Sequence, residues 1–221
     1  MKICILIPSF NEARTIGQII KDLKTRSLTV YVVDDGSTDA TADISRREGA
    51  ILIQNPKNMG KGAALRNGFS RILKDDFDAV LVMDGDGQHT IEDADRFIAE
   101  ENYMGADMII GNRMLDTSSM PNHRAITNRF MSGMISRISG QYVPDTQCGF
   151  RLIKRKVLQN IRLESSNYEI ESEMILKAAR AHFNIESLPI KTVYRDERSK
   201  INPVTDTIRF IILMSKILCG R

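Results

Sequence analysis

Apolar positions fall along this chain in two alternating rhythms. Ile3-Cys4-Ile5-Leu6-Ile7 is an unbroken apolar run stopped by Pro8, the pattern of a strand buried on both faces. Residues 12–24 then place Ile16, Ile19, Ile20 and Leu23 at helical spacing. The alternation repeats. It predicts strands over 28–33, 50–53, 79–83 and 107–110, with helices over 62–73 and 92–101 and another after Ser37 or Thr38, either of which can cap it. The second half is less regular. A polar loop over 114–124 precedes a helix over 126–138, a strand over 151–153, a helix over 168–181 and a strand over 185–194. Pro203 opens a last helix.

Strands with continuous apolar character, separated by helices, indicate a mostly parallel sheet covered on both faces. In such sheets ligands bind beyond the carboxyl ends of the strands. Three predicted strand ends are polar: Pro8 to Glu12, Asp34 to Ser37, and Asp84 to Gln88. Asp84-Gly85-Asp86-Gly87-Gln88 carries the most pointed chemistry. Two carboxylates one residue apart can turn toward one hard cation, and the Gln88 amide adds an oxygen. The competing reading of that stretch alone is a solvated acidic turn.

Composition narrows the class. A chain of 221 residues, 42% hydrophobic and 27% charged, has the length of one ordinary soluble domain. A formal charge of +3, absent Trp and no basic–aromatic run argue against a nucleic-acid partner. Cys4, Cys148 and Cys219 form no metal-type spacing and suit a reducing compartment. The apolar run after Met1-Lys2 is too short for a signal peptide, and no run is long enough to span a bilayer. The most apolar stretch, 208–218, is broken by Arg209 and Lys216; it suits a helix packed on the core or lying at a membrane interface.

Familiar nucleotide motifs fail on inspection. Asn58-Met59-Gly60-Lys61-Gly62 lacks the first glycine of a P-loop, and Gly62 stands where Ser or Thr holds magnesium. The segment from Asp84 has His89 where a calcium loop needs glycine. No GxGxxG follows the first strand.

The ordered set Ile7-Pro8-Ser9-Phe10-Asn11-Glu12, Val32-Val33-Asp34-Asp35-Gly36-Ser37-Thr38-Asp39, Asn58-Met59-Gly60-Lys61-Gly62 and Met83-Asp84-Gly85-Asp86-Gly87-Gln88-His89 resembles family 2 glycosyltransferases with the GT-A fold. Gly111-Asn112-Arg113, Asp145-Thr146-Gln147-Cys148-Gly149-Phe150-Arg151 and Arg198-Ser199-Lys200 extend the likeness to the dolichyl- or polyprenyl-phosphate mannose synthase group, over residues 2–210. The resemblance implies an α/β, Rossmann-like GT-A domain over 1–202 and a C-terminal amphipathic helix over 203–221. It also implies probe-able roles. Pro8, Phe10, Glu12, Val33 and Asp35 would line a nucleoside pocket. Asp84, Asp86 and Gln88 would hold Mg2+ or Mn2+ against the donor diphosphate, with Gly85 beside it. Lys200 and Arg195 would reach that diphosphate, with Arg198 an alternative to Arg195. Arg113 and Arg124 would bind the acceptor phosphate. The implied reaction moves a sugar, with inversion, from a GDP- or UDP-linked donor to a polyprenyl phosphate at the cytoplasmic face of a membrane, with peripheral membrane contact.

A phosphate acceptor is already anionic, so its attack needs no strong base. A saccharide or other alcohol acceptor would need one, and Glu169, Glu171, Glu173, Asp145, His89 and His123 are the candidates. Burial of Cys148 as a small space-filling thiol is expected, without a reaction. A sugar nucleotidyltransferase is a lower alternative because Pro8-Ser9-Phe10-Asn11 is not a glycine-rich loop. A non-catalytic nucleotide-sugar-binding module is the remaining one.

Overall fold

A computed structural model describes residues 1–100, 105–118, 120–191 and 209–215. Strands β1 (Ile3–Ser9), β2 (Thr29–Asp34), β3 (Ile51–Gln54), β4 (Ala79–Val82), β5 (Met108–Asn112), β6 (Arg151–Lys154) and β7 (Ile185–Pro189) form one sheet. Their order across it is β3-β2-β1-β4-β6-β5-β7. Helices α1 (Ile16–Lys24), α2 (Thr41–Arg47), α3 (Lys61–Ile72), α4 (Ile91–Glu100), α5 (Asn122–Ser139), α6 (Arg155–Asn160) and α7 (Ile170–Arg180) connect and flank it.

The central strands are buried along their whole length, as their unbroken apolar runs require. β1 pairs in parallel with β2 and β4, β2 with β3, and β5 with β7. Only β6 is inverted, running antiparallel to both β4 and β5. The sheet is therefore mostly parallel, and β1, β2, β4 and β5 all end on one edge. The chain leaves β1 toward β2 on one side and returns to β4 on the other. That topological switch point opens a crevice between the ends of β1 and β4.

The structure moves several predicted boundaries. α1 begins at Ile16 rather than near Glu12; a turn precedes it, with the Thr15 and Ile16 N–H groups donating to the Glu12 carbonyl (3.1 and 3.0 Å), while Glu12 donates to Thr41 Oγ1 (2.8 Å) and Ala13 to Asp39 Oδ2 (3.1 Å). The second helix starts at Thr41, with Asp39 rather than Ser37 or Thr38 accepting the Thr41 N–H at 3.0 Å. α5 starts at Asn122, earlier than predicted, directly after Pro121, whose φ of −56° already suits a helix start. β7 ends at Pro189, short of the predicted 194, and residues 192–208 lie outside those described. The short α6 was not predicted. Its six residues carry too little periodicity to register.

Residues 209–215 are helical; Phe210, Leu213 and Met214 enter the core cluster while Ile211 and Ile212 stay exposed. The expected boundary at 202–203 falls outside the described residues. Among the described residues no helix is long and apolar enough to cross a membrane.

Candidate active site

The loops after β1 and β2 are stitched side by side before any ligand is considered. Asn11, at φ 55°, accepts the Thr38 N–H on its side-chain oxygen (2.8 Å) and donates its own N–H to Ser37 Oγ (2.9 Å). With the Glu12–Thr41 and Ala13–Asp39 bonds, this fixes Phe10 and Glu12 on the rim of the crevice. The Asp84–Gln88 loop is anchored to the same rim, since Thr15 Oγ1 donates to the Gly85 carbonyl at 2.5 Å. A side chain at Gly85 would press on Ser9 Oγ at 2.8 Å, so glycine is what allows the approach. Ser9 Oγ is itself buried and lacks a hydrogen-bond partner, an orphan polar atom beside the loop.

Asp84 and Asp86 follow β4 at the switch point. Lys61, the first residue of α3, reaches across to Asp84 Oδ1 (2.6 Å) and to Glu171 Oε1 (2.7 Å) in α7. Burial alone would lower the Lys61 pKa, but the Asp84 and Glu171 carboxylates outweigh it and keep the ammonium charged. Burial would likewise raise Asp84, yet Lys61 holds it at about 2. Asp86 receives less of that relief. Burial, then the neighbouring Asp84 charge, pushes it up to about 7, while its Oδ1 accepts the Gln88 N–H at 3.0 Å. A desolvated carboxylate crowded by another is the electrostatic signature of a place that a divalent cation would relieve. Among the described residues no group of three His, Cys, Asp or Glu converges on one point. The protein's contribution to a cation there would be Asp84, Asp86 and the Gln88 amide.

The glycines of Asn58-Met59-Gly60-Lys61-Gly62 serve packing. A Cβ at Gly62 would meet the Ser165 carbonyl at 2.6 Å, so glycine lets the start of α3 press against residues 165–167 and aim Lys61 inward. Gly149 is as confined: a Cβ there would meet Asp84 Oδ2 at 2.6 Å and Lys61 Nζ at 2.8 Å.

Across the crevice, Arg113 follows β5. Its guanidinium grips the fully buried Asp145 with two bonds, Nε–Oδ2 at 2.7 Å and Nη2–Oδ1 at 2.9 Å, and its backbone N–H adds a third at 3.0 Å. Asn128 of α5 donates to Asp145 Oδ1 at 2.7 Å, and Ser132 pairs with Thr146. Burial would raise the Asp145 pKa, but Arg113 and Asn128 hold it below the ordinary range. Among the described residues no carboxylate forms an ion pair with the buried Arg151. It donates instead to the carbonyls of Cys148 (2.7 Å), Glu171 (2.7 Å) and Thr146 (2.9 Å), tying the 146–148 turn to α7.

The other residues singled out from sequence are placed as follows. Pro8 and Val33 face each other in the β1–β2 register. Val33 is fully buried, with a methyl 3.1 Å from where a Cβ of Gly68 would lie, so its side chain packs under α3. Asp35 is buried, and its carboxylate accepts from Asn55 Nδ2 (2.6 Å), Met59 N (3.0 Å) and Gly60 N (2.8 Å), which shapes the β3–α3 loop. Arg124 lies in the first turn of α5, half-buried. Arg195, Arg198 and Lys200 lie outside the described residues.

Of the candidate bases, His89 is buried against Phe150, and its Nδ1 accepts the Asp84 N–H at 3.2 Å. Burial pushes its pKa down to about 4, which leaves it a neutral staple of the loop. Glu173 accepts the Glu164 and Ser165 N–H groups and pairs with Lys177 at 2.7 Å, a structural duty. Burial pushes the Cys148 thiol up to about 12, which makes it unreactive.

Sequence reasoning gave Lys61 no role, and it took Asp145 and Glu171 only as bases. The available signal was a charge embedded in apolar or glycine-rich surroundings, but its partner lies far along the chain.

A protein-family model described as "Glycosyl transferase family 2" matches residues 4–162, and the chain belongs to that family. An uncharacterized protein of Methanocaldococcus jannaschii is 33% identical over 98% of this chain and 93% of its own length. A UDP-N-acetylglucosamine–dolichyl-phosphate N-acetylglucosaminyltransferase of Methanococcus voltae is 26% identical, covering 88% of this chain and 86% of that protein. Among solved structures, glucosyl-3-phosphoglycerate synthase from Mycobacterium tuberculosis, in complex with Mn2+, UDP and glucosyl-3-phosphoglycerate, superposes with a TM-score of 0.79 at 17% identity, covering 99% of this chain and 80% of that one. That likeness shows the GT-A fold.

Proposed function

We propose that this family 2 glycosyltransferase binds a nucleotide-diphosphate sugar in the β1–β4 crevice with Mn2+ or Mg2+ and passes the sugar to an acceptor that carries a phosphate. The observation that carries the reading is the pair Asp84 and Asp86 at the switch point, one neutralised by Lys61 and the other left with a strained charge. The cation would neutralise the diphosphate and act as a Lewis acid for its departure. Asp84, Asp86 and Gln88 would hold it, Phe10 and Glu12 would border the nucleoside, and Lys61 stands ready to exchange its carboxylate partners for a phosphate oxygen. Arg195 and Lys200 are kept as further diphosphate contacts from the resemblance. Inversion rests on the same ground.

Two acceptor forms follow. In the first, a polyprenyl phosphate attacks through its own anionic oxygen, with Arg113 and Arg124 at the acceptor phosphate. Its support is that Glu173, one of the buried carboxylates considered as bases, is held by Lys177 and by the Glu164 and Ser165 N–H groups, and that Asp145 is fully buried and accepts from Asn128. The dolichyl-phosphate relative also uses such an acceptor by its name. In the second, a small alcohol accepts the sugar. The solved structure with bound glucosyl-3-phosphoglycerate speaks for this form more directly than any relative speaks for the lipid.

The test is release of nucleoside diphosphate by purified protein with Mn2+ and a panel of UDP- and GDP-sugars. Acceptors are a short-chain polyprenyl phosphate, 3-phosphoglycerate and a neutral saccharide. Turnover with either phosphate-bearing compound supports the reading and identifies its form. Turnover with the neutral saccharide alone overturns the phosphate requirement, and donor binding without turnover overturns catalysis.

A further inference from the structure

Lys61 lies between two carboxylates, and the two are not equivalent. Its ammonium is 2.6 Å from Asp84 Oδ1 and 2.7 Å from Glu171 Oε1. The Asp84 side chain is 26% exposed against 6% for Glu171, so Asp84 stands toward the crevice and Glu171 behind it. Asp84 belongs to a loop. Glu171 lies in the first turn of α7, and its own carbonyl is held by the buried Arg151 at 2.7 Å. The ammonium is bounded on two further sides. The Tyr168 ring centroid is 5.9 Å away, and a Cβ at Gly149 would come within 2.8 Å of Nζ.

An ammonium carries three donors, so Lys61 can serve both carboxylates in the empty crevice. A divalent cation on Asp84 changes that, because two positive charges at one carboxylate repel each other. Asp84 is the partner given up, while Glu171, set back on a fixed helix, keeps its bond. We infer that Glu171 is a positioning residue: it retains Lys61 when a cation claims Asp84 and so presents the ammonium to the diphosphate of the donor. The inference rests on the donor site of the proposed function and gives Glu171 a task there other than that of a base. It has a definite sign. By charge alone, a carboxylate near an anionic ligand opposes binding, and its removal tightens the ligand. A carboxylate that acts by aiming a lysine does the reverse, and its removal weakens the ligand.

The experiment is calorimetric titration of the whole chain with UDP and GDP at saturating Mn2+, with uridine and guanosine as probes that lack the diphosphate. Glu171→Leu is expected to weaken the diphosphate by about tenfold and to leave the nucleoside unchanged. Glu171→Gln keeps an acceptor oxygen in place and is expected to restore most of the affinity. In a Lys61→Met background, Glu171→Leu is expected to cause no weakening. Unchanged or tighter diphosphate binding by Glu171→Leu overturns the inference, and so does an equal loss in the Lys61→Met background. A second readout needs no substitution at Glu171. The side-chain ammonium resonance of Lys61 in wild type, assigned by its loss in Lys61→Met, is expected to shift but persist when diamagnetic Mg2+ and the diphosphate are added. Broadening of that resonance by exchange with water overturns the inference even where Glu171→Leu fails to fold. Wild type that binds neither UDP nor GDP removes the donor site and the positioning role together. Diphosphate binding indifferent to Glu171 removes the positioning role alone.

Discussion

The two halves of the crevice are built by different means. On the β1–β4 side, polar groups sit at the ends of buried strands and are held by short bonds between adjacent loops, as in Asn11–Thr38 and Thr15–Gly85. On the β5–α7 side they are held by buried pairs that join residues far apart: Arg113 with Asp145, Lys61 with Glu171, Arg151 with three carbonyls. The first arrangement leaves a carboxylate, Asp86, whose charge is poorly satisfied. The second satisfies its buried charges and so fixes position. One side is prepared to take up a cation, and the other to hold its shape around an acceptor.

The sharpest way to break this contrast is Asp86→Ala. It should lower Mn2+-dependent turnover by about a hundredfold or more and leave the metal-free melting temperature unchanged or higher. The fold disfavours its ionised form, so that Asp86 keeps its proton up to about 7, and its removal takes away no stabilising charge. A clear drop in melting temperature would place Asp86 among the structural pairs instead.

Asp145→Asn probes the opposite side. Loss of the buried partner of Arg113 should cost about 3 kcal/mol in chemical denaturation and raise KM for the acceptor more than KM for the donor. An equal rise in both would dissolve the division between the two sides.

Lys61→Met tests the residue that bridges them. Without its ammonium beside Asp84 and Glu171, Mn2+ alone should bind about tenfold more tightly by titration calorimetry, since the cation no longer displaces a charge worth about 1.4 kcal/mol. Turnover should fall. Weaker Mn2+ binding would show that Lys61 positions Asp84 rather than competing for it.

The smallest effect concerns pH. His89 has its pKa pushed down to about 4 by burial, against about 6.5 in an unfolded chain. Between those values the unfolded chain holds more protons. Stability should therefore be complete above about pH 6.5 and fall toward pH 4, with a slope of at most about 1.4 kcal/mol per unit from this residue. Asp86 titrates with the opposite sign, so the slope is read as the difference between wild type and His89→Gln. Identical slopes would mean that His89 is not held neutral.

The same contrast separates what was legible in the sequence from what was not. The alternation of apolar runs and helical spacing determined the α/β class, because burial of a strand on both faces imposes a pattern that is local in the chain. The polar strand ends after β1, β2 and β4 were legible for the same reason: a carboxylate that follows an apolar run marks where the sheet stops. Tertiary structure alone decided the inverted β6, since a four-residue strand, Arg-Leu-Ile-Lys, carries no mark of its direction in the sheet. It alone engaged Asp35 with the β3–α3 loop. It alone joined Lys61 to Glu171 and Arg113 to Asp145, pairs 110 and 32 residues apart in the chain. A charge's partner in a folded protein is set by which elements pack together, and no local pattern records that.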